Sequence, residues 1–383
     1  MTEGISLVCP RCQCDLSGSV CPSHPDTVPE WDYDFATLRE QYDPAEATDA
    51  SLWRYAPLLP VSGAEPISLG EGWTDLVDAP AVGDSLGIDL GLKLEGANPT
   101  GSAKDRGSAV VATRAVEAGC GELVCASTGN AAASIAAYAA RGGLDCSLFV
   151  PERLPEAKAA QPLVYGASLV TVEGGYGDAC RRCRAYADSD RDGGAVLDRS
   201  AGANPYTPAG ARTLGFELAE QAPEAAWIAV SMGNGGTIAD LYRGYELFER
   251  LGSVAETPRL LGVQAEGSPS IHGTAGTDPV PQGTCADSID VDEPHRAADA
   301  TGALERSGGT SVLVGDDDIR RALRWLGRDE GVFAEPAGAA ALAGVERAVA
   351  SGIVDPGDRV VAVATGNGLK DTATALDAVT DPQ

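Results

Sequence analysis

The sequence predicts an α/β protein built on open parallel β-sheets with helices on both faces. From about residue 88, apolar stretches typical of buried strands alternate with stretches of helical periodicity. The clearest strands are ELVCAS, AWIAVSM and VVAVATGNG, and the clearest helices are GNAAASIAAYAARGG and TIADLYRGYELFER. Near-continuous apolar strands between helices indicate parallel sheets that are covered on both sides. A chain of 383 residues is long enough for two such domains.

The remaining predicted elements follow the same alternation. The further strands are IDLGLKLEG, CSLFVP, SLVTVEG and RLLGVQAEG. The further helices are KDRGSAVVATRAVEAG, PEAKAAQPLVYG, GARTLGFELAEQ, DDDIRRALRWLGRDEG and PAGAAALAGVERAVASG. The span from Gly267 to Gly309 is rich in Gly, Asp and Pro, and is predicted to be irregular. The aromatic segment from Trp31 to Pro66 is expected to wrap the main body as an arm.

The charge of the chain is strongly negative along its whole length. With 56 acidic and 28 basic residues, the formal net charge is -28, which argues against nucleic acid as a partner. An evenly acidic surface suits a cell with high internal salt, because salt screens the repulsion between like charges. No apolar run is long enough to span a membrane and no signal peptide is evident, so we expect a cytoplasmic, halophilic protein.

The strongest motif is Asn-Pro-Thr-Gly-Ser-Ala-Lys at residues 98–104, between a predicted strand and a predicted helix. Lys104 is one of only four lysines. The positive end of the helix dipole and burial both favour its neutral amine, which is the form that makes an imine with a carbonyl compound. The alternative is a surface lysine at a helix start. We favour a Schiff base with pyridoxal 5'-phosphate.

Three further motifs follow predicted strands. In STGNA, backbone N–H groups near Ser127 and Thr128 can bind a carboxylate and Asn130 can donate to a phenolate, although all three residue types also cap helices. The small residues Gly233, Asn234, Gly235, Gly236 and Thr237 can close around a phosphate, or can form only a tight turn. The last motif is ATGNGLKD at residues 364–371, after the final predicted strand, where the Thr365 hydroxyl can face a ring nitrogen or the residues can form only a turn.

The positions of these motifs agree with one another. All four are predicted at the carboxyl ends of strands, where open α/β sheets bind ligands. Their agreement favours a cofactor site over four unrelated turns.

The N-terminus carries a pattern of two cysteine knuckles that predicts metal binding. Cys9 and Cys12 form C-x2-C, and Cys21 and His24 form C-x2-H. Three thiols and an imidazole suit a closed tetrahedral zinc site with a structural role. The alternative is a set of unligated thiols, and Cys14 is a spare that could replace a ligand.

These residues resemble the fold-type II pyridoxal-phosphate enzymes, and within them the threonine synthase family. The resemblance covers roughly residues 66–375 and includes EGWT, NPTGSAKDRG, STGNA, GNGGT, EPAGAA and TGNGLKD, in that order. It implies a tryptophan synthase beta-like fold. The implied parts are a zinc-knuckle-like segment at 1–30, a large cofactor-binding domain at 31–120 and 205–383, and a small domain at 121–204. Relatives are often homodimers, so a homodimer is expected.

The resemblance also implies roles for individual residues. Lys104 would hold the cofactor and act as acid and base, Asn130 would contact the phenolic oxygen, and Thr365 would face the pyridine nitrogen. Residues 233–237 would bind the cofactor phosphate. Ser127, Thr128 and Arg212 would bind the substrate, a small amino acid.

One segment departs from the family pattern. Threonine synthases commonly read Asn-Pro-Tyr-Arg-x-x-Gly-Gln-Lys-Thr, whereas residues 204–213 have Thr207 and Arg212 at the two basic positions. Loss of one cation weakens the expectation of a phosphorylated substrate. The alternatives are a threonine/serine dehydratase, a cysteate-synthase-like replacement enzyme, and a non-enzymatic metabolite sensor with a zinc knuckle.

Overall fold

A computed structural model describes residues 2–16, 21–24, 27–62, 65–152, 156–189, 195–200, 202–272 and 283–380. The strands are β1 (Ile5–Val8), β2 (Glu30–Tyr33), β3 (Leu76–Asp78), β4 (Asp89–Leu94), β5 (Glu122–Ala126), β6 (Asp145–Pro151), β7 (Ser168–Val172), β8 (Val196–Asp198), β9 (Trp227–Ser231), β10 (Arg259–Ala265), β11 (Thr310–Val314) and β12 (Arg359–Ala364). The helices are α1 (Phe35–Gln41), α2 (Pro80–Leu86), α3 (Lys104–Glu117), α4 (Asn130–Gly142), α5 (Glu156–Val164), α6 (Tyr176–Ala187), α7 (Tyr206–Ala211), α8 (Thr213–Gln221), α9 (Gly236–Leu251), α10 (Ala297–Arg306), α11 (Asp316–Asp329), α12 (Pro336–Ala350) and α13 (Thr372–Thr380).

The chain divides into two compact units. Unit 1 contains Met1–Trp73 and Lys104–Thr213, and unit 2 contains Thr74–Ala103 and Leu214–Gln383. This division differs from the predicted domain bounds, because residues 31–73, 104–120 and 205–213, predicted for the large domain, group with the predicted small domain. The reason lies in packing, since the apolar face of α3 and the segment around Trp53 share one core with α4 and β5.

Unit 1 holds a four-stranded parallel sheet with the strand order β7-β6-β5-β8. Alternate residues of β5 face opposite sides of this sheet. Leu123 and Cys125 pack with α3 and α4, whereas Val124 and Ala126 pack with α6. The predicted helices on both faces are therefore confirmed for this unit. The segment predicted as an arm contributes Trp53 to the core itself.

Unit 2 holds a six-stranded sheet with the order β11-β10-β9-β12-β4-β3, which is parallel except for β3. Apolar residues of α11 and α12 share a core with Leu261 and Val263 of β10. The residue between them, Gly262, approaches Leu304 of α10 on the other face. This sheet is therefore also covered on both sides, as the continuous apolar strands predicted.

Three local predictions need correction. The helix expected at GARTLGFELAEQ begins earlier, at Tyr206, and is interrupted at Arg212, so it forms α7 and α8. The span from Gly267 to Gly309 is not wholly irregular, because it contains α10. The strand β11 was not expected. Within the part of the chain that the structure describes, no helix combines the length and apolar character that crossing a bilayer requires.

Candidate functional site

Three of the predicted motifs lie at one edge of the sheet in unit 2. The strands β9, β12 and β4 are neighbours and run parallel, so their carboxyl ends share an edge. The glycine loop at 233–237 follows β9, Thr365 follows β12, and the segment that leads to Lys104 follows β4. The predicted convergence of these motifs at strand ends is confirmed for this unit.

The glycine loop has the geometry of an anion-binding turn. Gly235 has φ of 83° and precedes the first residue of α9, whose first backbone N–H groups have no partner inside the helix. A Cβ at Gly235 would lie 2.7 Å from the carbonyl oxygen of Arg296, so only glycine fits. The carbonyl oxygen and Oδ1 of Asn234 accept from the backbone N–H groups of Arg296 and His295, at 3.1 and 3.3 Å. These bonds hold the loop in shape.

Arg296, which supports this loop, was missed by sequence reasoning. Its Nη1 donates to Asp240 at 2.6 Å and its Nε donates to Asp299 at 2.8 Å. Burial lowers the pKa of Arg296, but the two carboxylates outweigh that effect and raise it. Its positive charge is therefore neutralised by protein groups. No signal pointed to this residue, because it lies in the span predicted to be irregular.

Thr365 is buried directly after β12 and is fixed on both its backbone and its side chain. Its hydroxyl donates to Oε1 of Glu335 at 3.4 Å, and its carbonyl oxygen accepts from the N–H of Ala103 at 3.0 Å. Ala103 directly precedes Lys104 in the chain. The carboxylate of Glu335 was given no role from the sequence, although it begins the EPAGAA motif. It orients the hydroxyl that is a candidate partner for a ring nitrogen.

In unit 1, Lys104 and Asn130 are the first residues of two neighbouring helices. The helices α3 and α4 pack together, and Ser134 donates to Ser108 at 2.7 Å. Lys104 and Asn130 each lie four residues, or about one helical turn, before these serines. The helix α3 leads into the start of β5, and α4 connects the end of β5 to the start of the parallel strand β6, so both helices return along the sheet and their N-termini lie at the same end. The structure therefore brings the predicted lysine and amide to one end of a helix pair.

No side chain of the described residues caps the N-terminus of α4. Ser127 and Thr128 follow β5 and are partly exposed, and Gly129 occupies the N-cap position without a side-chain hydrogen bond. The Ser127 hydroxyl accepts from the N–H of Gly129 at 3.3 Å. The alternative that these residues serve to cap α4 is not what the structure shows. The turn presents hydroxyls and helix N–H groups, which suit a carboxylate.

Arg199 is a second residue that sequence reasoning missed. It is only 4% exposed, and its Nε donates to the Ser108 hydroxyl at 3.2 Å. Its Nη2 donates to the carbonyl oxygen of Lys104 at 3.4 Å. The residue thus fixes the first turn of α3. No sequence signal pointed to Arg199, because β8, the strand it follows, was not predicted.

Arg212 is a buried cation with an unusual set of partners. It is 8% exposed, and its Nη1 donates to the hydroxyl of Tyr33 at 2.7 Å. Its Nε is buried without a partner, and no described residue forms an ion pair with it. Burial raises the pKa of Tyr33, and the opposing effect of Arg212 is smaller, so the phenol is neutral. The guanidinium of Arg212 therefore has no counter-charge among the described residues.

Thr207, the departure from the family pattern, packs against α3. Its hydroxyl accepts from Nδ2 of Asn204 at 3.0 Å, and its carbonyl oxygen would lie 2.9 Å from a Cβ at Gly107. A Cβ at Gly210 would lie 2.2 Å from the carbonyl oxygen of Arg106. The helices α7 and α3 therefore touch through their backbones, and glycine is required on both sides of the contact.

The four predicted metal ligands come together at the N-terminus. One ligand atom from each of Cys9, Cys12, Cys21 and His24 lies within 4.8 Å of all the others. Nδ1 of His24 lies 3.5 Å from Sγ of Cys9 and 3.7 Å from Sγ of Cys21, and the Cys12 and Cys21 sulfurs are 3.8 Å apart. Ligand atoms around a tetrahedral zinc ion are separated by about 3.5–3.8 Å.

The thiols of this cluster differ in acidity. Burial opposes ionisation of Cys21, but hydrogen bonds from the backbone N–H of Ser23 and from the side chains of Cys9 and Cys12, with a smaller one from the His24 backbone, outweigh it and the pKa falls to about 7. Cys14, the predicted spare, lies 3.2 Å from Cys12 and is exposed. It is not one of the four mutually close ligands.

Known proteins match most of this chain. The family model described as pyridoxal-phosphate dependent enzyme matches residues 67–366. The threonine synthase of Bacillus sp. is 40% identical over 329 residues, which is 85% of this chain and 91% of the relative. That of Methanosarcina acetivorans is 36% identical over 363 residues, covering 91% and 87%.

The chain belongs to the threonine synthase family of pyridoxal-phosphate-dependent enzymes. Solved structures agree on the fold. Maize serine racemase has a TM-score of 0.65 at 21% identity and covers 80% of this chain and 92% of its own. A fungal L-serine ammonia-lyase from Rhizomucor miehei has a TM-score of 0.66 at 20% identity, covering 83% and 100%. At this identity the two structures establish the tryptophan synthase beta-like fold alone.

The residues described here fit the family's cofactor. A phosphate needs a glycine turn at a helix N-terminus, which α9 and Gly235 provide. An aldehyde needs a lysine amine, and a ring nitrogen needs a polar partner such as the Thr365 hydroxyl. Each requirement is met by a residue at a strand end or a helix N-terminus.

Proposed function

We propose that this chain is a threonine synthase, which converts O-phosphohomoserine and water to threonine and phosphate. The buried Arg212 carries the proposal, because its guanidinium is without a counter-charge in the described structure. An isolated buried charge is costly, and an anionic group of a ligand would remove that cost. Arg212 lies in the segment that resembles the family's basic motif, and the threonine synthase of Bacillus sp. is 40% identical.

The cofactor-binding roles follow from the positions of the residues. Lys104 holds the cofactor, Asn130 donates to its phenolic oxygen, and Thr365 faces its ring nitrogen. The backbone N–H groups of Gly233, Asn234, Gly235, Gly236 and Thr237 bind its phosphate. When bound, the cofactor supplies an electron sink for charge that develops on the substrate.

The substrate roles are divided between two anionic groups. The α4 N-terminus with Ser127 and Thr128 binds the carboxylate, and Arg212 binds the phosphate ester. The bond between Cγ and the ester oxygen breaks and phosphate leaves. Water then adds its hydroxyl at Cβ, and Cγ gains the proton that completes a methyl group. The Lys104 amine moves protons among Cα, Cβ and Cγ.

Phosphate release tests this function. Purified protein in concentrated salt should release phosphate from O-phosphohomoserine and form an equal amount of threonine. Lys104→Ala should lose both this activity and the absorbance of the bound cofactor. Ammonia and a 2-oxo acid from threonine or serine, with no phosphate released from O-phosphohomoserine, would instead identify a dehydratase, the alternative that Thr207 keeps open.

We also propose that Cys9, Cys12, Cys21 and His24 bind a structural zinc ion. The spacing of their ligand atoms supports this, and a closed set of four ligands has no position for a substrate. Elemental analysis of the purified protein should find zinc in an amount equal to the protein. Protein that is fully active without bound metal would refute this assignment.

The proposed setting is a cytoplasmic homodimer in a cell with high internal salt. The acidic composition supports the salt requirement, since the net charge of -28 is spread along the chain. The homodimer is supported only by the family resemblance.

A further inference from the structure

The strands β1 and β2 form an N-terminal hairpin that contacts residues 204–213, the segment that contains Arg212. The same hairpin carries the four predicted metal ligands. The strands β1 and β2 pair antiparallel, with Val8 opposite Glu30 and Ile5 opposite Tyr33. Cys9 follows β1 directly, and its backbone N–H donates to the carbonyl oxygen of Cys14 at 3.1 Å. All four metal ligands lie between the two strands in sequence. A metal ion bound there would hold together the end of the hairpin at which the chain passes from β1 to β2.

One face of β2 lies against the segment at residues 204–213. Trp31 and Tyr33 are buried, whereas Asp32 between them is exposed. Nε1 of Trp31 donates to the carbonyl oxygen of Pro205 at 3.0 Å, and its ring lies 5.2 Å from that of Tyr206. The Tyr33 hydroxyl accepts from Arg212. Alternate side chains of a single strand therefore fix both ends of this segment.

Tyr33 is well suited to position Arg212 without neutralising it. A carboxylate in its place would form an ion pair and compete with an anionic substrate. A neutral phenol fixes one nitrogen of the guanidinium and leaves the charge for the ligand. Within the described chain, Tyr33 is the only hydrogen-bond partner of the Arg212 side chain, so its loss would leave this long side chain free to change rotamer.

We propose that Tyr33 is a positioning residue for Arg212, and that metal binding at Cys9, Cys12, Cys21 and His24 controls substrate affinity by holding the strand that carries Tyr33. A two-stranded ribbon is only marginally stable by itself, so a metal ion bound at its end fixes the position of β2. The inference rests on the proposed function, since Arg212 must bind the phosphate of the substrate.

The first test is Tyr33→Phe in the holoenzyme. Loss of one hydrogen bond to a group that binds the substrate should raise KM for O-phosphohomoserine about 3- to 10-fold, with little change in kcat. The dissociation constant of inorganic phosphate, measured by calorimetry, should rise by a similar factor. The matched control is Tyr245→Phe, which removes a buried hydroxyl that has no hydrogen-bond partner in the described structure and lies on α9. Its KM should equal that of the wild type.

The second test removes the metal from the wild type and from Tyr33→Phe. Chelation should raise KM and weaken phosphate binding in the wild type, and zinc should restore both. In Tyr33→Phe, chelation should change KM and phosphate affinity little further, because metal removal and the substitution both act through the contact between Tyr33 and Arg212. If chelation unfolds the chain, the Cys12→Ser, Cys14→Ser double variant takes the place of chelation in this test. It removes one proposed ligand and the spare thiol, and both are exposed.

The two proposals fail in different ways. A wild type that does not release phosphate from O-phosphohomoserine overturns the proposed function. An active wild type whose KM and phosphate affinity are unchanged in Tyr33→Phe overturns the positioning role. Equal effects of metal removal in both proteins overturn the coupling of the metal site to Arg212.

Discussion

Lys93 and Arg212 are both buried cations, and their surroundings differ in one decisive respect. Lys93 on β4 is fully buried and donates to Glu217 at 2.8 Å, to Gln221 at 2.8 Å and to the carbonyl oxygen of Thr74 at 2.6 Å. Its three N–H donors have three acceptors, one of them a carboxylate. Arg212 has a neutral phenol and an unpartnered Nε.

The difference indicates different roles. A buried ion pair with all its hydrogen bonds made is complete within the protein, so Lys93 has no capacity left for a ligand. A buried guanidinium without a counter-charge lowers the stability of the protein. A protein retains such a residue where an anionic ligand supplies the counter-charge. Burial alone therefore does not identify a functional cation. The absence of a neutralising partner in the described structure is what distinguishes Arg212 from Lys93.

The largest expected effect follows removal of the counter-charge of Lys93. Glu217→Gln leaves a buried ammonium without its carboxylate, so the free energy of unfolding should fall by about 3–5 kcal/mol. Chemical denaturation in the working salt concentration measures this. Glu256→Gln removes an exposed carboxylate and should change stability by no more than about 0.5 kcal/mol. Equal losses in the two variants would show that the Lys93 pair is not the source of stability.

A smaller effect, on activity and not on stability, is expected at Arg212. Arg212→Met should lower kcat/KM for O-phosphohomoserine about 30- to 150-fold, which corresponds to about 2–3 kcal/mol of lost interaction with the phosphate. The free energy of unfolding should stay the same or rise, because an unpaired buried charge is removed.

Inorganic phosphate provides a second measurement for the same variant. It should raise the melting temperature of the wild type and leave that of Arg212→Met unchanged. Arg320→Met, at a partly exposed cation paired with Asp317 at 3.0 Å, is the matched control and should retain full activity. If Arg212→Met kept the wild-type kcat/KM, Arg212 would have no part in phosphate binding.

The secondary structure was predicted best where apolar residues follow one another closely. The strands β5, β9 and β12 are apolar along nearly their whole length, and each lies where it was expected. The helix α10 was missed because Gly, Asp and Pro in the surrounding span indicated irregular structure. The interruption at Arg212 was also missed. The close contact of Gly210 with the Arg106 carbonyl oxygen is a tertiary feature that helical periodicity does not report.

The sequence pointed to some residues of the candidate site and not to others, depending on whether their signal is local in the chain. Lys104, Asn130 and the glycine loop could be proposed from the sequence because each follows a predicted strand and has distinctive neighbours. Arg199, Arg296 and Glu335 were missed, since each acts on a residue distant in the chain. Arg199 reaches the carbonyl oxygen of Lys104, and Glu335 reaches Thr365. Only the fold shows such supporting contacts.

The sequence by itself determined the fold class and the family, and it supplied the residues proposed to carry the chemistry. These depend on local order, such as apolar runs, glycine turns and the spacing of cysteines, which adjacent residues specify. The tertiary structure alone decided which buried charges are neutralised. Lys93 and Arg212 are both basic residues among apolar neighbours in sequence, and the groups that distinguish them, Glu217 and Tyr33, lie far away in the chain. Electrostatic energy depends on distance in space, so no local pattern could separate the two.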